Sequence, residues 1–282
     1  MIIVADSGST KTDWKVIRDG KVDFGYQTDG INPYLLDLDQ IENIASHDDV
    51  EEIREQVMEV NFYGAGCSRK DKQEQVQKAL RKVFPMSKVT VMSDMFGAAR
   101  GLCGFNTGIV CVLGTGSNAC VYDGSEIVEN SVSLGYLLGD EGSGVYIGQK
   151  LLQQYLYGRL PDSLKEKFKQ KFPSISKEEV LDKLYSQYMP NKYMASFSEF
   201  ASDHMDHPYI YGLLYESFYR FLDYHVRPLE NSDSLSLNFV GSIAKCYESI
   251  LEKVTVESGL SFGKVKRTPL DGLISYHLYN KD

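Results

Sequence analysis

Two stretches decide how this chain is read: Ile2-Ile3-Val4-Ala5-Asp6-Ser7-Gly8-Ser9-Thr10-Lys11-Thr12 at the start, and Ile109-Val110-Cys111-Val112-Leu113-Gly114-Thr115-Gly116-Ser117-Asn118 nearer the middle. Each is an apolar run of strand length that stops in a turn of small and hydroxylated residues. The first continues as a strand over residues 12–17, crosses the hairpin signal Asp19-Gly20 and returns over 22–26, a meander of three strands. The second continues through Cys120-Val121-Tyr122 to Asp123-Gly124, the same hairpin signal. One layout therefore opens both halves, which reads as an internal duplication of topology.

The remaining elements are placed outward from these two. Residues 40–56 are polar and Glu-rich and read as helix, and 58–63 read as a buried strand that meets the turn Gly64-Ala65-Gly66. Over 69–84 the apolar positions Val76, Leu80 and Val83 recur at helical spacing, and Pro85 closes the segment. A strand at 88–92 leads to Ser93-Asp94, where a helix N-cap belongs. Residues 144–227 are rich in Tyr and Leu at helical spacing, interrupted by Pro161, Pro173, Pro190 and Pro208. A last strand at 235–240 turns through Gly241-Ser242 into a helix over 243–257, and a final helix lies near 269–278. The fold class is α/β. The division is an N-terminal lobe over 1–106, to which the last helix can return, and a C-terminal lobe over 107–282 with a helical insertion at about 144–231.

Composition narrows the function. The 282 residues are 43% hydrophobic and 24% charged, enough apolar sequence for a sizeable core in each of two halves. A formal charge of −9 has the wrong sign for a protein held to nucleic acid by phosphate contacts. No run of eighteen apolar residues occurs, and Asp6 comes too early for a signal-peptide core, so a cytoplasmic protein without a membrane segment is expected. The 5 cysteines are odd in number and contain no C-x-x-C pair, which points to reduced, mostly buried thiols rather than a zinc or iron–sulfur site. Trp14 reads as core, His204 and His207 as a solvated helix face, and the 19 tyrosines as a helical core or the surface of a homodimer.

Small residues at strand ends let backbone N–H groups approach an anion, and hydroxyls add hydrogen bonds to its oxygens. The P-loop pattern G-x-x-x-x-G-K-[ST] is absent. Gly114 to Ala119 satisfies the dinucleotide pattern G-x-G-x-x-A, but that pattern needs a helix next, and residues 120–124 read as a strand entering a hairpin. What fits is a two-lobed fold in which one hairpin from each half faces the other and holds the β- and γ-phosphates of a nucleotide.

Four motifs, DSGSTKTDW at 6–14, SDMFGAARG at 93–101, GTGSNA at 114–119 and GDEGSG at 139–144, with the weaker FVGSIAK at 239–245, together resemble the BadF/BadG-type ATPase and N-acetylglucosamine kinase family. The resemblance spans nearly the whole chain and implies the duplicated, ribonuclease H-like fold of the actin, Hsp70 and sugar-kinase superfamily, with a mixed sheet flanked by helices in each half. It further implies ATP and Mg²⁺ as cofactors. Asp6, Gly8, Ser9, Thr10 and Lys11 would form the first phosphate hairpin, with Thr10 touching ATP and Asp6 reaching Mg²⁺ through water. Gly114, Thr115 and Gly116 would form the second, and Gly241, Ser242 and Lys245 would border the adenosine.

Asp94 is the implied catalytic base, since transfer to a hydroxyl needs a carboxylate that accepts its proton. A helix cap is the plainer role for Ser93-Asp94, and the two are compatible: a helix N-terminus stabilises the carboxylate and lowers its pKa, which desolvation must offset. Asn32, Ser117, Asn118, Gly135 and Asp140 would join Asp94 around the acceptor sugar. The chain departs from the vertebrate N-acetylglucosamine kinases at Leu134, where those carry a tryptophan before the glycine that precedes GDEGS. The function so implied is transfer of the γ-phosphate of ATP to a hydroxyl, the 6-OH, of an amino sugar resembling N-acetylglucosamine. The alternatives are an ATPase that activates a partner protein, whose shared iron–sulfur motif is not found here, and a non-catalytic sugar sensor.

Overall fold

The computed structural model describes residues 1–8, 10–186 and 189–279. Chain order is β1 (Ile2–Ser7), β2 (Lys11–Arg18), β3 (Lys21–Asp29), α1 (Leu38–Ala45), α2 (Asp48–Glu51), β4 (Glu59–Gly64), α3 (Lys70–Val83), β5 (Lys88–Ser93) and α4 (Asp94–Cys103). Then come β6 (Gly108–Leu113), β7 (Ser117–Tyr122), β8 (Ile127–Asn130), α5 (Gly135–Leu138), α6 (Gly144–Leu156), α7 (Asp162–Lys171), α8 (Lys177–Ser186), α9 (Pro190–Ser196), α10 (Ser198–Asp203) and α11 (Pro208–Phe221). A π-helical turn (Leu222–Val226), β9 (Ser236–Val240), α12 (Ser242–Cys246), α13 (Glu248–Glu257), β10 (Ser261–Lys266) and α14 (Leu270–Tyr279) complete the chain.

The strands form two five-stranded sheets, ordered β3-β2-β1-β4-β5 and β10-β9-β6-β7-β8. In both, the apolar opening strand pairs antiparallel with its own hairpin partner and parallel with a later strand, β1 with β2 and β4, β6 with β7 and β9. The two orders are the same path walked twice, which is the duplicated ribonuclease H-like plan. β1 and β6 are central in their sheets, so both their faces are covered, and this is why Ile3, Val4, Ala5, Ile109, Val110 and Cys111 are all fully buried.

The chain divides into two compact units. Unit 1 holds residues 1–106, Gly124–Glu126 and the segment from Thr268 onward; unit 2 holds Thr107–Asp123 and Ile127–Arg267. In unit 1 the core under the sheet is built on Trp14, Phe62, Val76, Leu80 and Phe84. On the other face of that sheet, α14 lays Leu270 and Leu273 against Ile2, Val4, Ile17 and Tyr63. His277 on α14 meets Tyr63 Oη at 2.9 Å, and Arg100 donates to the same oxygen at 3.0 Å. Burial lowers the His277 pKa to about 4, so the imidazole is neutral at physiological pH. In unit 2 an aromatic core, Phe168, Phe197, Phe200, Phe218 and Phe221, joins the helical segment to the sheet residues Leu113, Leu237 and Phe239.

Three segments differ from what the sequence predicts. The expected helix over 40–56 is α1, α2 and a short 3₁₀ turn, because His47 starts a new helix by accepting from Asp49 N with its ring. The expected helix over 243–257 is broken at Tyr247, whose buried hydroxyl donates to Ser198 O at 2.9 Å. β10 is a strand the sequence conceals: it is an edge strand, carries Gly263, and its register slips between Phe262 and Val265. His204 and His207 are not a solvated face either, since one bonds Phe200 O and the other caps α11. Trp14 is fully buried, and of the cysteines only Cys246 is exposed. Among the described residues no helix is long and apolar enough to cross a membrane.

The attachment of α14 rests on a close helix crossing: a Cβ on Gly272 would stand 1.7 Å from the backbone oxygen of Gly101 on α4. Gly272→Ala is expected to destabilise unit 1 by about 1–3 kcal/mol, as overpacking does. Gly212→Ala, in α11 where a Cβ meets nothing within 4 Å, is expected to be neutral or stabilising by up to about 1 kcal/mol. Thermal melts of both variants check this, and a Gly272→Ala protein as stable as wild type would refute the tight crossing.

Candidate active site

In unit 1 the site grows from the end of β1. Gly8 N donates to Lys11 O at 3.0 Å and closes the turn. Ser7 Oγ and Thr12 Oγ1, both buried, lie 2.7 Å apart, Ile31 N donates to Ser7 Oγ, and Thr12 Oγ1 donates to Asp29 O. These two hydroxyls fasten the turn to the segment that enters Asn32. Gly8 and Thr10 are exposed and Lys11 pairs with Asp13 at 2.9 Å, while Ser9 lies outside the described residues. Asn32 Oδ1 accepts from Tyr34 N, and it sits 2.5 Å from where a Cβ of Gly66 would be, so this loop abuts the turn after β4.

Two carboxylates stand at strand ends of the same sheet, Asp6 on β1 and Asp94 just past β5. Ser93 caps α4 by accepting from Phe96 N, and Asp94 Oδ1 accepts from Met95 N at 2.9 Å. The Asp6 pKa is raised to about 7, chiefly by burial and then by the charges of Asp94 and Asp13, with Lys11 opposing them. Water reaches the Asp94 side chain, yet the atoms crowded around it make desolvation the largest influence. That raises its pKa, against the lowering effect of the N–H groups at the start of α4. Burial, and after it the Asp94 charge, pushes the Cys67 thiol up to about 12, which leaves it unreactive. The donor chemistry fits a hard cation held in part by the protein. Among the described residues no group of three or more His, Cys, Asp or Glu gathers around one point, and magnesium keeps waters and takes phosphate oxygens rather than needing a full protein cage.

In unit 2 the turn after β6 is clasped by α6: Gly144 N donates to Gly114 O at 2.9 Å and Val145 N to Thr115 O at 3.1 Å. Beside it lies a cavity of about 480 Å³ lined by Gly114, Thr115, Ser242, Lys192, Glu199 and Arg267, among others. Gly241 turns the end of β9 against this loop at φ 126°, and a Cβ there would stand 2.1 Å from Leu113 O, so no other residue fits. Gly114, Thr115, Gly241 and Ser242 are thus brought together. Lys245 is not: it does not line the cavity and pairs with Glu248 at 2.5 Å. Lys192, Glu199 and Arg267 belong to α9, α10 and the end of β10, where no motif marks them. A larger cavity of about 590 Å³, lined by Tyr146, Lys150, Tyr209 and Glu216 among others, holds none of the residues the sequence singles out.

The turn residue Gly116 backs onto Asp140, whose Oδ2 would be 2.9 Å from a Cβ there. Asp140 is buried at φ 60°, and its Oδ1 accepts a long 3.4 Å bond from Ser117 N. Burial raises its pKa, opposed by that N–H and by His225. Ser117 Oγ is buried with no hydrogen-bond partner among the described residues, an orphaned hydroxyl that a ligand would satisfy. Asn118 Oδ1 accepts from Ala119 N at 2.9 Å and from Ser131 Oγ at 3.0 Å. Gly135 opens α5, with Leu134, Leu137 and Leu138 exposed around it. Ser131, Glu141 and His225 complete this cluster and were not singled out as site residues from the sequence.

No protein-family model and no curated protein sequence matches the chain. Solved structures do. One from Porphyromonas gingivalis, named as a putative N-acetylglucosamine kinase, is 40% identical over 100% of both chains with a TM-score of 0.94. Another so named, from Chromobacterium violaceum, is 18% identical over 98% of both chains, TM-score 0.71. A ROK-family glucokinase from Streptomyces griseus, solved with glucose and AMPPNP, is 14% identical over 98% of this chain and 97% of that one, TM-score 0.58. The latter two show the fold alone, that of the actin-like sugar kinases. The first places the sequence within it: the chain belongs to the BadF/BadG-type ATPase and N-acetylglucosamine kinase family, as an ATP-dependent sugar kinase.

The Asp6 shift has a measurable consequence. An acid whose pKa is raised on folding binds protons in the native state that the unfolded chain has released, so native stability falls as pH climbs from about 4 through about 7. Asp6→Asn removes this penalty. Without nucleotide or metal, its melting temperature is expected to equal wild type near pH 4 and to exceed it by roughly 2 °C or more at pH 8. Parallel melts across that range check the sign, and a variant no more stable at pH 8 would contradict it.

Proposed function

We propose that the protein transfers the γ-phosphate of ATP to the 6-hydroxyl of an amino sugar of the N-acetylglucosamine kind. The observation that carries this reading is Asp94, a carboxylate held at a helix N-terminus with its pKa raised by desolvation, on the same sheet as a second carboxylate suited to a metal. Gly8 and Thr10 in one turn and Gly114, Thr115 and Gly116 in the other supply backbone and hydroxyl donors for phosphate oxygens. Ser242, with Gly241, borders the nucleoside, and the cavity that Ser242 lines offers Arg267 and Lys192 as cations. Asp6 would hold Mg²⁺ through water, and the ion would supply neutralisation of phosphate charge.

Asp94 accepts the proton of the sugar hydroxyl as its oxygen bonds to the γ-phosphorus, and the bond from that phosphorus to the ADP oxygen breaks. Asn32, Ser117, Asn118 and Asp140 orient the sugar; amide, hydroxyl and carboxylate groups match its hydroxyls and acetamido group. Leu134 offers no aromatic platform, so orientation rests on these polar groups.

The test is ADP release from Mg-ATP across amino sugars, N-acetylated sugars and plain hexoses. Release is expected to depend on an amino sugar and to fall by roughly 10²- to 10⁴-fold in Asp94→Asn. Near-normal phosphorylation by that variant would remove Asp94 as the base. Hydrolysis indifferent to every sugar would instead support an ATPase that serves a partner protein.

A further inference from the structure

His225 sits at the centre of unit 2's sugar cluster and has no part in the chemistry above. It lies in the π-helical turn Leu222–Val226, where Arg227 N reaches back to Leu222 O at 2.9 Å. Such turns insert one residue into a helix and recur at functional sites. Its ring stacks on Phe221 at 5.3 Å between centroids and its side chain is 3% exposed. Nε2 is 3.0 Å from Glu141 Oε2 and Nδ1 is 3.3 Å from Ser131 Oγ.

Proton counting fixes the roles. Asn118 Oδ1 already accepts from Ala119 N, so the contact between it and Ser131 Oγ uses the one hydroxyl proton of Ser131. Ser131 Oγ is therefore an acceptor toward both Ala119 N and the ring. Nδ1 faces Ser131 Oγ and Nε2 faces Glu141 Oε2, so the buried ring bridges the two. Asp140, next to Glu141, also feels its field.

We infer that His225 is the positioning residue of the sugar site, joining the loop that carries Asp140 to the strand that carries Asn118. One ring nitrogen holds Glu141, which pins the 139–142 loop so that Asp140 meets Ser117 N. The other holds Ser131, whose hydroxyl fixes Asn118 Oδ1 and so directs the Asn118 amide N–H₂ group toward the acceptor's oxygens. The two sugar-binding groups come from separate segments, and His225 with its two partners adds a second cross-link beside the long bond from Ser117 N to Asp140. This inference rests on the reading of Asn118 and Asp140 as acceptor-sugar residues.

The experiment is steady-state kinetics of His225→Gln and Ser131→Ala with the best sugar of the panel, varying sugar and ATP separately. Gln can serve one arm at a time; Ser131→Ala cuts only the Asn118 arm. The sugar KM is expected to rise about tenfold or more in His225→Gln and by a smaller factor in Ser131→Ala, with the ATP KM within about twofold of wild type in both. Loss of a merely structural residue would move both KM values or neither. Should His225→Gln fail to fold, Ser131→Ala carries the test alone. A wild-type sugar KM in the folded variants would overturn the inference and leave the kinase reading intact. A wild type that phosphorylates no sugar would overturn the reading beneath it.

Discussion

Two carboxylates at the ends of parallel-running strands of one sheet are the constraint around which unit 1 is organised. Asp6 and Asp94 each lose hydration in the fold, and the Asp94 charge makes that of Asp6 harder to hold. Lys11 offsets little of this, being drawn to Asp13. A protein optimised for stability would not place them so. In the proposed reaction a divalent cation at one carboxylate and a proton at the other would relieve it, and these are the two things a phosphoryl transfer to a hydroxyl brings to a site.

Unit 2 repeats the path but fills it differently. The same turn after the central strand is held there by the N-terminal N–H groups of α6 and by the close approach of Gly241, and no carboxylate stands at the end of β6. Among the described residues its one buried acid is Asp140, on the loop before α6, with an orphaned Ser117 hydroxyl beside it. Duplicated topology supplies two turns of small residues, and the side chains around them differ, two carboxylates at one and a buried acid with an unpartnered hydroxyl at the other.

The central strands were legible in the sequence because a strand covered on both faces must be apolar throughout, and their turns because only small residues let the chain reverse there. β10 was not legible, since an edge strand with a glycine and a register slip keeps neither alternation nor an apolar run. Among the hydroxyls of the first turn, composition could not say that Ser7 and Thr12 point inward to fasten it while Thr10 faces out. Lys192, Glu199 and Arg267 reach their cavity only through the packing of α9, α10 and β10, which no local pattern records. His225 is hidden for the same reason: its place depends on a π turn, and the residues it joins are 84 and 94 positions away in the chain.

The central claim, that these turns and carboxylates phosphorylate a sugar hydroxyl, is tested most directly on the product. Phosphorus NMR of a reaction with Mg-ATP and N-acetylglucosamine should show a phosphomonoester coupled to the two protons of the C6 methylene. ADP with inorganic phosphate as the other new product, and the sugar unchanged, would contradict it.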